Sequence, residues 1–135
     1  MIHEITLSVP QMDEKTGNSK LVLEKYYTQD CLILAECEQK GLELYNGNCT
    51  AIGIKESKLR EFINKRESDE QEIYVAKLES IFVDDDGNES TTTYAVAGFC
   101  SSMQDATQKF LEYMKMGMED LKLISLKRTK FIDIL

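Results

Sequence analysis

Ile52-Gly53-Ile54-Lys55-Glu56-Ser57-Lys58-Leu59-Arg60-Glu61-Phe62-Ile63 recurs in pattern as Ile124-Ser125-Leu126-Lys127-Arg128-Thr129-Lys130-Phe131-Ile132-Asp133-Ile134-Leu135. Both read apolar-x-apolar-Lys-x-x-Lys-apolar-x-acid-apolar-apolar. Upstream, Asp13-Glu14-Lys15-Thr16-Gly17-Asn18 aligns with Val83-Asp84-Asp85-Asp86-Gly87-Asn88 at an offset of 70, against 72 in the closing segments, so about two residues were gained within the second copy. A repeat constrains architecture, because each copy must use one supersecondary plan and bury its apolar face against the other. A copy of about 65 residues would leave a large share of its surface exposed alone. The expectation is one integrated domain of two related units, residues 1–63 and 73–135, packed about an approximate twofold. Asn64-Lys65-Arg66-Glu67-Ser68-Asp69-Glu70-Gln71-Glu72, polar throughout, reads as the linker.

Each copy has the same order of local signals. Ile5, Leu7 and Val9 alternate with polar residues, so they share one face of a strand, which Pro10 ends or marks as an edge. A turn at Lys15-Thr16-Gly17-Asn18 leads into a second strand over Leu21 to Tyr27. The second copy repeats this as Val75 to Val83, a turn at Asp86-Gly87-Asn88, and Thr91 to Ala97, rich in the Thr, Tyr and Val that strands favour. A helix follows in both. Ser102 stands three residues before Asp105, the spacing of a helix cap, and Met103, Ala106, Phe110 and Met114 form an apolar stripe. Leu34, Cys37, Gly41 and Tyr45 hold matching spacing in the first copy, whose helix stops at Asn46-Gly47-Asn48. Ala51 to Ile54 and Leu121 to Leu126 read as third strands, and the segments after them, 57–63 and 128–135, read equally as short helix or strand. The plan is strand, strand, helix, strand, taken twice. It predicts an α+β architecture, an antiparallel sheet with helices on one face.

The chain has 135 residues, a formal charge of −8 and a pI near 4.7. That balance disfavours a phosphate-binding surface, since nucleic-acid affinity rests on neutralising phosphates with Lys and Arg. The positive charge concentrates in the repeated closing segments, where it reads as a solvated rim. Cys31, Cys37, Cys49 and Cys100 form no CxxC pair and His3 is the single histidine, so the spacings of a structural zinc site are missing. No signal peptide and no run of membrane-spanning length is visible, and the cysteines read as free thiols of a soluble protein in a reducing, cytoplasmic compartment.

Motifs that carry chemistry are sparse. Asp84-Asp85-Asp86-Gly87-Asn88 invites a calcium reading, but its glycine comes too early for an EF-hand loop and strands flank it, so a hairpin turn is expected. A Cys-His or Ser-His pair would have to recruit His3. No Gly-rich phosphate loop appears. No catalytic residue, metal ligand or cofactor is therefore assigned. Tyr26, Tyr27, Tyr94 and Phe99 lie on or after the second strands, where exposed rings could stack a base or a partner side chain. Alternation puts Tyr26 and Tyr27 on opposite faces, which predicts at least one outside the main core. With Lys127 and Arg128 these four aromatics are the candidate binding residues.

The chain resembles a duplicated small domain family of unknown function from Bacteroidetes and their phages or mobile elements. In the second half the resemblance rests on Lys77-Leu78, Asp84-Asp85-Asp86-Gly87, Asp105-Ala106, Met116-Gly117-Met118 and Ile132-Asp133-Ile134. In the first half it rests on Glu24-Lys25-Tyr26-Tyr27, Ala35-Glu36-Cys37-Glu38 and Ile54-Lys55. These motifs are structural in character. The resemblance carries no activity or catalytic residue across, and implies a bacterial or phage setting. Two functions follow as expectations. The first is a non-enzymatic accessory protein that binds a host or phage protein through an uncovered sheet face or edge. The second is a binder of a small nucleotide-type ligand at the junction of the repeats. Homo-oligomers fit either; a membrane partner fits neither, and nucleic acid is disfavoured by the acidity.

Overall fold

Alternation along Ile2–Met12 puts His3, Ile5, Leu7 and Val9 on one side of the first strand, and all four are buried. The structure, a computed structural model, describes residues 2–29, 31, 33–117 and 120–135. The order is β1 (Ile2–Met12), β2 (Ser19–Gln29), α1 (Leu34–Leu44), β3 (Thr50–Glu56), β4 (Leu59–Phe62), β5 (Glu72–Val83), β6 (Glu89–Cys100), α2 (Met103–Met116), β7 (Asp120–Arg128) and β8 (Phe131–Ile134). The class is α+β and mostly sheet. Both segments that read equally as helix or strand are strands, β4 and β8.

The chain divides into two compact units, one of Met1–Ser57 with Phe131–Leu135, the other of Lys58–Lys130. Each holds one four-stranded sheet, ordered β3-β1-β2-β8 in the first and β4-β6-β5-β7 in the second. The third strand of each half lies beside its first, the first beside its second, and the place beside the second is taken by the closing strand of the other half. The pairings are antiparallel except at those closing strands, where β8 runs parallel to β2 and β4 parallel to β6. A single antiparallel sheet was the expectation. Two sheets form instead, and only two residues separate β3 from β4, and two separate β7 from β8, so neither closing strand can return parallel beside the second strand of its own half. A parallel return to the same sheet needs about a dozen residues or more.

Pro10 does not end β1, which runs on to Met12. It is tolerated because β3 pairs with β1 only from His3 to Ser8, leaving no neighbour on that side to receive an amide hydrogen at position 10. Both hairpin turns use glycine with positive φ, at Gly17 and Gly87. In the second, Asp84 Oδ1 accepts from the amides of Asp86 and Asn88 at 3.0 and 2.8 Å, so this acid closes the turn.

The helices cover one face of each sheet. α1 packs on β1 and β3, and α2 on β6 and β7. Ser102 Oγ accepts from the Asp105 amide at 3.1 Å, the cap expected from spacing. Ala106 and Phe110 are buried against Tyr74, Ala76, Leu78, Val96 and Cys100, with Met114 packed on that cluster and Met103 exposed. In the first unit Cys37 and Gly41 are buried, Tyr45 packs on Ile5, Leu7, Val9 and Tyr26, and Leu34 is exposed. α1 ends at Leu44, where Asn46 and Gly47 take positive φ.

Candidate functional site

β4 and the segment after it lie against α2 as a consequence of how the edge beside β6 is filled. Beyond the pairing of Leu59–Phe62 with β6, the Ile63 amide donates to the Ala97 carbonyl at 2.8 Å. Asn64 then mimics a peptide group: Nδ2 donates to the Phe99 carbonyl at 2.9 Å and Oδ1 accepts from the Phe99 amide at 2.7 Å. Gly98 makes this approach feasible, since a Cβ there would stand 2.8 Å from Ile63 Cγ1 and 3.2 Å from Asn64 Oδ1. The stretch read as linker continues this anchoring, with Arg66 Nη1 donating to the Gln71 carbonyl at 2.6 Å and the Glu67 amide to Gln71 Oε1 at 2.7 Å.

Between this stretch and the adjoining side of α2 runs a cleft of about 390 Å³. Phe62, Ile63 and Met116 give it apolar walls, and the carboxylates of Glu61, Glu67 and Glu112 stand around it. Its cation is engaged: Lys109 Nζ donates to the Phe99 carbonyl at 3.2 Å and pairs with Asp105 at 3.1 Å. Asn64 spends its amide on Phe99, and the Tyr113 hydroxyl donates to Glu61. Burial, then the Glu61 carboxylate, pushes the Tyr113 pKa above the usual phenol range, so it stays a donor to that acid. Glu67 and Glu112 are exposed, Glu112 meeting only the Gln108 amide at 3.4 Å among the hydrogen bonds described. The cleft thus offers acceptors and apolar surface, with its donors already engaged. That chemistry suits a cation on an aliphatic stem.

The candidate aromatics are dispersed. Tyr26 and Tyr27 are both buried in the first unit, Tyr26 within the cluster of Ile5, Leu7, Val9 and Cys49 and Tyr27 against Phe131. Tyr26 faces the helix side and donates to Glu24 at 3.2 Å, beside Tyr45, which donates to the same carboxylate at 2.6 Å. Desolvation first, then these neighbours, raises the Tyr26 pKa beyond the ordinary phenol range. Tyr27 is covered by Phe131 of β8, the rings 3.9 Å apart and 14° from parallel. In the second unit Tyr94 is half-buried beneath the Arg60 guanidinium, 4.1 Å from the ring centroid, and Phe99 is buried with Arg66 at 4.8 Å. Lys127 and Arg128 are exposed on the edge strand β7, Arg128 paired with Glu72 at 3.2 Å. None of the six lines the cleft. The residues that do line it were spread over the end of the repeated closing segment, the stretch read as linker and α2; the signal that could have found them is Glu112 and Met116, one turn apart on the helix.

Nucleophilic chemistry has no support in the thiols. Cys31, Cys37, Cys49 and Cys100 are all buried and free. Burial pushes Cys37 and Cys49 up and takes Cys100 to about 11, which favours the unreactive thiol. Thr28 Oγ1 donates to Cys37 Sγ at 3.4 Å, a core contact. Among the described residues no group of three or more His, Cys, Asp or Glu is placed to hold a metal ion, and no helix is long and apolar enough to cross a membrane.

The chain belongs to the family described as Domain of unknown function (DUF4494), which matches residues 2–135. No curated protein and no solved structure matches it.

Proposed function

We propose that this family member is a non-enzymatic protein-interaction module, an accessory protein of a phage or mobile element in the bacterial cytoplasm, and that it holds a basic segment of a host or phage protein in the cleft between α2 and the chain after β4. The observation that carries this reading is the cleft's chemistry: apolar walls with Glu61, Glu67 and Glu112 around them, and a lysine already committed to Phe99 and Asp105. A lysine or arginine side chain lays its methylenes along such walls and its charge among the acids. The overall charge of −8 steers the same kind of partner and repels phosphates at long range. We also read the chain as an internal duplication, supported by the shared strand order of the two sheets and by the aligned closing segments.

The test titrates the protein with a labelled peptide that alternates lysine with leucine and phenylalanine. Binding should weaken with added salt, and Glu67→Lys with Glu112→Lys should weaken it by about tenfold, equivalent to about 1.4 kcal/mol. A pull-down from infected or host lysate should recover a protein whose capture is indifferent to nuclease and lost in the same double variant. Recovery of RNA or DNA that survives moderate salt, release of a small nucleotide from the purified protein, or a peptide affinity untouched by the charge reversals would each sink the reading.

A further inference from the structure

The place beside β2 cannot be filled by the strand that follows β3. Three strand spacings separate β3 from that place in the order β3-β1-β2-β8, about 14 Å in all, and the occupant must run parallel to β2. β1 is antiparallel to both β2 and β3, so β3 and the occupant point the same way. A strand leaving β3 would have to travel back along the sheet and across it before starting, whereas Ser57 and Lys58 are the only residues before β4 begins. The same argument bars the strand after β7 from the place beside β6, with Thr129 and Lys130 as the connection.

We propose that the place beside β2 is a strand-receiving site whose second natural occupant is β8 of another copy of this chain, so that chains folding together form strand-exchanged dimers. The pairing that closes each sheet already joins segments far apart in sequence, Lys25 with Phe131 and Leu59 with Ala95. Nothing in the register, or in the contacts described, requires the two segments to share a chain. The receiving site is chemically specific. Tyr27 stacks on Phe131, Lys25 Nζ lies 5.9 Å from the same ring, and the Tyr27 carbonyl accepts from the Leu135 amide at 2.7 Å. It reads an aromatic residue and the backbone four residues on, and every copy of the chain carries that sequence. Exchange of identical elements at short connections is a low-cost route to dimers.

The experiment co-refolds unlabelled and nitrogen-15-labelled full-length chains, dilute and concentrated, with a photo-crosslinking benzoyl group on the ring of Phe131 in the labelled chain. Concentrated refolding should raise the dimer fraction at least about tenfold over dilute refolding, because the competing intramolecular closure does not depend on concentration. Mass spectrometry should find the labelled residue 131 joined to an unlabelled peptide containing Tyr27. Monomer at every concentration, or a dimer with cross-links only inside each copy, overturns the proposal. Should the benzoyl-bearing chain not fold, the unmodified pair decides: a mixed-mass dimer that forms on co-refolding but not on mixing folded chains supports exchange, and every other result rejects it.

Discussion

Ile5 of β1 and Ala76 of β5 hold matching places, and what stands over them is opposite. Each pairs with an apolar residue of the third strand, Ile54 or Leu126, on one side, and with Tyr26 or Val96 of the second strand on the other. Over Ile5 the helix carries Gly41, so close that a Cβ would stand 2.6 Å from Ile5 Cδ1 and 3.0 Å from Leu7 Cδ2. Ala76 instead shares its core with Phe110 of α2. One unit fills the helix-sheet gap from the sheet, the other from the helix. Interiors are packed to near-crystalline density, so the sum of volumes is constrained while its division is not. That is how two segments of different composition support the same strand order.

The largest expected effect lies on the helix-filled side. Phe110→Ala should lower stability by about 3–5 kcal/mol, read from the denaturant midpoint, since the ring is fully buried and the facing residue is already an alanine that cannot grow into the void. A nearly neutral result would mean that the stripe faces something other than this core.

The comparison sharpens with a double-mutant cycle in the other unit. Ile5→Ala opens a cavity and Gly41→Leu overpacks the intact core, costing about 2–5 and about 1–3 kcal/mol singly. Together they recreate the division of volume seen between Ala76 and Phe110, so the pair should cost less than the sum of its parts by more than about 0.5 kcal/mol. Simple additivity would show that the two residues do not share one gap.

Helix starts differ too. α2 is capped by Ser102, whereas Ile33 precedes α1 and makes no side-chain cap. Ser102→Ala should cost about 1 kcal/mol, and Ile33→Ser should gain a smaller amount, both visible as shifts in thermal midpoint. Equal indifference at the two positions would remove capping from the comparison.

The smallest effect is a pH dependence confined to the capped helix. The Ser101 amide, followed by Lys109, holds the Asp105 carboxyl below its ordinary value of 3.8. Its contribution is therefore present at neutral pH, where folded and unfolded chains are both ionised, and is lost as pH falls from the unfolded carboxylate range through the lower folded value. The stability gap between the wild type and Asp105→Asn should narrow as the solution is acidified. A gap that widens would reverse the assignment.

Much of the fold was legible locally. The alternation of Ile5, Leu7 and Val9, the Gly17 and Gly87 turns, the Ser102 cap and the Ala106-Phe110 stripe depend on neighbours within a few residues, and each stands where spacing put it. The candidate site was less legible, because burial is a long-range property. Tyr27 looks like a rim aromatic until Phe131, more than a hundred residues on, covers it. Asn64 looks like a linker residue until Phe99 supplies both of its hydrogen-bond partners.

What the sequence alone determined is the repeated succession of strands, turns and helices, since these follow from side-chain period, φ preference and capping within a short window. Which sheet receives each closing strand was decided only in three dimensions. Leu59–Phe62 and Phe131–Ile134 satisfy the same local pattern in either sheet; the two-residue connections, set against the distance and direction of the open place beside β2 or β6, bar each strand from that place in its own half, and it pairs in the sheet of the other.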